Sequence, residues 1–141
     1  MVNAADPMAA VRQYMAAVRQ YADAFNNADP TGMAAACANP MQTLDGMAPR
    51  IWHEPTASEE WWRDVLAEGA HVGASGYQMT LDEPTHVDIT GEVEYVVVPM
   101  TMTFDLRGNQ ITQTGAIWTS ALRRVGTNWR LGAWAWAEGT R

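Results

Sequence analysis

The segment EVEYVVVPMTMTFD, Glu92 to Asp105, decides the fold class. Side chains alternate along a strand, so Val96, Val98, Met100, Met102 and Phe104 share one face, and Tyr95, Val97, Thr101 and Thr103 share the other. Both faces are partly apolar, which predicts a central strand covered on both sides. Pro99 has no N–H to give to a ladder, so a bulge that bends the sheet is expected there. The same period of two recurs in Tyr77–Glu83, Thr85–Thr90, Gln110–Arg124 and Asn128–Glu138, with Gly91, Gly108-Asn109 and Gly126 at the turns.

Upstream of this region the period is helical. Asp6-Pro7 reads as an N-cap followed by proline at the first helical position. Met8, Val11, Met15, Val18, Ala22 and Phe25 then form one apolar stripe, with Arg12, Arg19 and Asp23 away from it. Asp29-Pro30 repeats the start signal for a short helix through Met33, Ala36 and Cys37, ending near Asn39-Pro40. An extended segment from Met41 to Asp45 and a loop with Gly46 and Pro49 follow. Thr56 and Glu59 have capping-box spacing for a third helix, with Trp61, Trp62, Val65 and Leu66 on its buried side and Gly69 as its stop. Helices first and strands afterwards define an α+β fold rather than a βαβ one. No repeat or linker divides residues 1–141, so a single domain is expected.

Composition narrows the function classes. The 141 residues are 48% hydrophobic and 18% charged, as in a globular chain. A net charge of −7 opposes nucleic acid as partner. The nine cations are all arginine, and a chain without lysine forms no lysine Schiff base. Cys37 is the only cysteine, which excludes an intrachain disulfide and reads as a buried structural thiol rather than a nucleophile. His53, His71 and His86 lack paired ligand spacing, so no metal is expected. No apolar run reaches membrane-spanning length, and Met1 to Ala10 lacks the basic region of a signal peptide; a cytoplasmic protein is expected.

Order and local wording together resemble the nuclear transport factor 2-like superfamily, in its SnoaL-like and ketosteroid isomerase-like branch. The resembling residues are Ala24-Phe25-Asn26-Asn27-Ala28-Asp29, Gly32-Met33, the short strand to Asp45, Gly115-Ala116-Ile117-Trp118, and Asn128 to Trp136. They span roughly Val11 to Glu138. The resemblance implies a cone-shaped, antiparallel-rich sheet wrapped around about three N-terminal helices and a closed apolar pocket. It also implies a homodimer formed through the outer sheet face. By spacing, Tyr21 and Asp45 fall where ketosteroid isomerases carry an oxyanion-binding tyrosine and a proton-shuttling aspartate. Ser120 stands nearest to the position of that family's second donor, a protonated carboxylic acid, and is not an equivalent acid.

Asp45 and Tyr21 are the candidate catalytic pair, for a cofactor-independent isomerase, lyase or cyclase acting on an apolar carbonyl compound. Equally, Asp45 before Gly46 reads as a turn residue, and Tyr21 as core filling. Trp118, Ser120, Met100, Met102 and Trp136 are candidate ligand contacts, or core and interface bulk. Trp52, Trp61 and Trp62 flank the third helix and would close the mouth of a cavity. His53 joins the substrate-binding set as an acid–base group, or is an exposed loop histidine. The competing function is a non-catalytic ligand-binding or dimerisation module of the same fold.

Overall fold

The computed structural model describes residues 7–53 and 55–141, with side chains from Met15 onward. The expected N-cap Asp6 lies outside the described residues, as do the side chains of Met8, Val11 and Arg12. The order is α1 (Pro7–Asn26), α2 (Pro30–Ala35), β1 (Cys37–Leu44), β2 (Ile51–His53), α3 (Ala57–Val72), β3 (Ala74–Leu81), β4 (His86–Thr90), β5 (Val93–Leu106), β6 (Asn109–Val125) and β7 (Asn128–Ala137). The strands form one sheet in the order β2-β1-β7-β6-β5-β3, with β4 also paired to β5. Only β1 and β7 run parallel; the other pairs are antiparallel. The fold is α+β.

On α1, Met15, Val18, Tyr21, Ala22 and Phe25 are buried, while Arg19 and Asp23 face solvent. The helix ends where Asn26 imitates a strand residue: its side chain donates to the Met79 carbonyl at 2.9 Å and accepts from the Met79 N–H at 2.7 Å. That satisfies part of the edge of β3 and fixes α1 against the sheet. Asp29 caps α2 as expected, its carboxylate accepting from the Gly32 N–H at 3.0 Å. The helix stops at Ala35, before Asn39-Pro40, because Cys37 already pairs with Leu131 in the parallel ladder to β7.

Four further expectations change. The inner row of β5, from Val96 to Phe104, is buried, but Val93 and Tyr95 on its outer row are 52% and 43% exposed. Among the described residues the helices cover one face of the sheet. Pro99 pairs regularly with Ile117; it lies between the segments of β5 that bond β4 and β3, where no N–H is needed. The ladder irregularity falls between Met100 and Met102 instead, beside Gly115 at φ +76°. Helix α3 continues through Gly69 and stops at left-handed Gly73. Gly69 serves packing: a Cβ there would lie 2.7 Å from the Ala74 carbonyl oxygen. Thr56 occupies the N-cap position of α3, yet its hydroxyl donates to the Glu60 carboxylate and closes no capping box with Glu59.

Candidate functional site

A cavity of about 750 Å³ lies between the helices and the inner face of the sheet. Phe25 reaches it from α1, Trp61, Val65 and Val72 from α3, and Tyr77 from β3. Met102 and Phe104 of β5, Gln113 of β6 and Trp136 of β7 complete the wall. The rim is the loop Asp45 to Arg50 on one side and Ala137, Glu138 and Arg141 on another. Gly46, Ala48, Arg50, Glu138 and Arg141 are exposed, so the cavity opens to solvent and is not the closed pocket expected. Large apolar side chains with a few polar groups describe a small-molecule site.

Asp45 directly follows β1 and combines both readings made of it. Its Oδ1 accepts from the Met47 N–H at 3.2 Å, as a turn residue does, and its Oδ2 accepts from the Trp61 indole N–H at 2.8 Å. A carboxylate can accept about four hydrogen bonds, so capacity for a ligand remains. Trp61 thus lines the cavity and holds the carboxylate at its rim.

Tyr21 lies elsewhere. It is 1% exposed, its hydroxyl bonds Ser58 Oγ at 2.9 Å, and its ring packs against Trp118 and Trp134. Burial, and after it the nearby Cys37, raises its pKa above the ordinary phenol value. Trp134 also contacts Trp61 edge-on at 4.8 Å, so a chain of rings joins the surroundings of Asp45 to Tyr21. Tyr21 is not among the cavity's lining residues.

Of the expected ligand contacts, Met102 and Trp136 line the cavity. Met100, Trp118 and Ser120 are buried in the core beside it, at 0%, 2% and 1% exposure. Alternation was read correctly, since Trp118 pairs with Trp136 and Ser120 with Trp134 on the inner face. Trp52 is buried and donates to Asp64 Oδ2 at 2.8 Å. His53 is exposed on β2 and lines a separate groove with Met41 and Val93. Tyr77, Gln113 and the Arg50 and Arg141 guanidiniums were not anticipated. Phe104 belonged to the same alternating row as Met102, which was the available signal. Tyr77 is among the lining residues, and burial, then the Glu68 carboxylate, raises its pKa above the ordinary phenol value. Among the described residues no His, Cys, Asp and Glu cluster is placed to hold a metal, and no helix is long and apolar enough to cross a membrane.

Helices on one face of a largely antiparallel sheet, with a solvent-accessible cavity between the layers, define the class. No family model matches the chain and no curated protein matches it in sequence. Solved structures match it closely in fold. A protein of the nuclear transport factor 2-like family from Streptomyces avermitilis superposes with TM-score 0.76 at 14% identity, over 94% of this chain and 97% of that one. A ketosteroid isomerase-like protein from Erwinia carotovora atroseptica gives 0.71 at 16% identity, over 90% and 94%. Hexachlorocyclohexane dehydrochlorinase LinA-type3 from Novosphingobium barchaimii LL02 gives 0.78 at 10% identity, over 94% and 88%. The chain therefore has the nuclear transport factor 2-like fold.

Proposed function

We propose that the protein is a cytoplasmic homodimer that binds an apolar carbonyl compound in the 750 Å³ cavity and, without a cofactor, uses Asp45 to move a carbon-bound proton. The observation that carries this reading is the Asp45 carboxylate, fixed by the Trp61 indole at the rim of an aromatic cavity. A base held in one orientation beside a bound ketone would remove the proton next to the carbonyl. The developing enolate needs a donor. Tyr21 is spent on Ser58 and shut in the core, so in this reading it packs behind Trp134, which in turn backs the cavity residue Trp61. In this reading the donor role falls to Tyr77, which is among the cavity's lining residues. Proton removal followed by return, elimination or ring closure gives an isomerase, lyase or cyclase.

The test does not need the natural substrate. Incubation with 2-tetralone in deuterated water, followed by proton NMR, reads exchange beside the carbonyl. The protein should accelerate exchange, and Asp45→Asn should slow it by about two orders of magnitude or more. Calorimetric binding of the ketone with exchange unchanged by Asp45→Asn would favour the second reading, a non-catalytic ligand-binding module. That reading draws on one feature: both Asp45 oxygens already hold structural hydrogen bonds.

A further inference from the structure

The tail after β7 is docked across one side of the cavity. Thr140 and Thr114 exchange two backbone hydrogen bonds of 2.9 Å, and Gln113 donates to Glu138 at 2.9 Å. Gly139 lets the tail approach this closely: a Cβ there would collide with the Thr114 carbonyl and lie 2.9 Å from the Ala116 nitrogen. The docking delivers Arg141 to the cavity, its guanidinium 5.8 Å from the centre of the Phe104 ring. Among the described residues, no hydrogen bond or ion pair engages that guanidinium.

Three carboxylates share the lining, Asp45, Glu68 and Glu138. Asp45 is held by Trp61 and Met47, and Glu138 by Gln113; Glu68 lies on the other wall, beside Tyr77. None is paired with Arg141, which keeps its flat fork of donors for a guest. A planar carboxylate fits that fork in two parallel hydrogen bonds, and an attached aromatic body fits the walls of Phe25, Trp61, Phe104 and Trp136.

We propose that the cavity selects an aromatic carboxylate, with Arg141 as the residue that recognises its anionic end. This rests on the cavity being a ligand site and names the class of ligand. Titration calorimetry with 2-naphthoate and its methyl ester tests it, because the two probes share an apolar body and differ in charge. The native protein should bind the acid about tenfold more tightly than the ester, as expected for a charge-assisted bond at a partly open rim. Arg141→Gln should bring acid and ester to the same affinity, and Arg141→Lys should restore only part of the preference. Raised salt should narrow the gap in the native protein. Equal affinities in the native protein, or a preference that survives Arg141→Gln, overturns the assignment and leaves the cavity as a neutral-ligand site. If neither probe binds, this assignment fails as well, while binding of 2-tetralone still decides whether the cavity is a ligand site.

Discussion

The Cys37 thiol donates to the Met33 carbonyl at 3.4 Å and interacts with Ser58 and Glu59. Loss of water pushes its pKa up from the ordinary 9.0 to about 12, assisted by the Glu59 carboxylate and opposed by Ser58 and Arg130. The folded chain therefore holds this proton more tightly than the unfolded chain. Its contribution to stability is full below pH 9.0 and is lost as pH rises through about 12. Tyr21 and Tyr77, both raised, act in the same direction at alkaline pH. Urea titrations across this window should show falling stability, with a shallower fall in Cys37→Ala. An identical fall in the variant would remove Cys37 as a cause. Cys37 is only half-buried against the core, where a buried thiol was expected; the absence of a disulfide was legible because the cysteine is alone in the sequence. Tyr21 was harder to place. Spacing put it on the right helix, but which way a phenol turns depends on what fills the space before it. Here Trp61 and Trp134, from α3 and β7, meet edge-on at 4.8 Å.

Helix α3 shows what a glycine inside an element does. At Gly69 an added Cβ would stand 2.7 Å from the Ala74 carbonyl oxygen and 2.8 Å from the Tyr77 hydroxyl. The phenol can swing away; the carbonyl belongs to the turn into β3 and cannot. Gly69→Ala should therefore destabilise the protein by about 1–3 kcal/mol despite alanine's better helix propensity. Gly46→Ala meets nothing within 4 Å and should change thermal unfolding little. A Gly69→Ala protein as stable as the native one would mean that β3 does not hold its place against α3. The same glycine explains why the end of α3 was misjudged: a glycine near the end of a helix and one required by a neighbour look alike in sequence. Long alternating strands were legible to within about three residues, since period two persists whatever packs on the strand. The three-residue β2 was not, because Ile51–His53 is too short to display a period and exists through its pairing with Leu44, Thr43 and Gln42.

Among the described residues, one sheet face is left uncovered. Fold class was legible from the order of helices and strands, whereas the cavity wall, drawn from two helices and four strands far apart in sequence, was legible only in part. Charge on the rim, from Arg50 and Arg141, was not legible at all, because a lone arginine in a loop or tail carries no pattern. The outer face follows directly from alternation: with Val96 and Val98 inward, Val93, Tyr95 and Val97 turn outward. Val93 is 52% exposed and Tyr95 43%, and at the other end of the sheet Leu44 and Ile51, paired across β1 and β2, are 43% and 45% exposed. Between them a groove of about 400 Å³ is lined by Met41, Val93, Ala121 and Ala133. In the homodimer proposed above this face would be the contact between copies, since two-fold symmetry sets an apolar band against its own copy. Sedimentation at micromolar concentration should therefore show a homodimer. Val93→Glu would place two carboxylates in the shared interface, each costing about 3–5 kcal/mol if left unpaired and dry. That weakens association by about a hundredfold or more and should yield a folded monomer. The circular dichroism of the variant separates dissociation from misfolding. A native monomer, or a Val93→Glu protein that stays dimeric, would remove this face as the contact between copies.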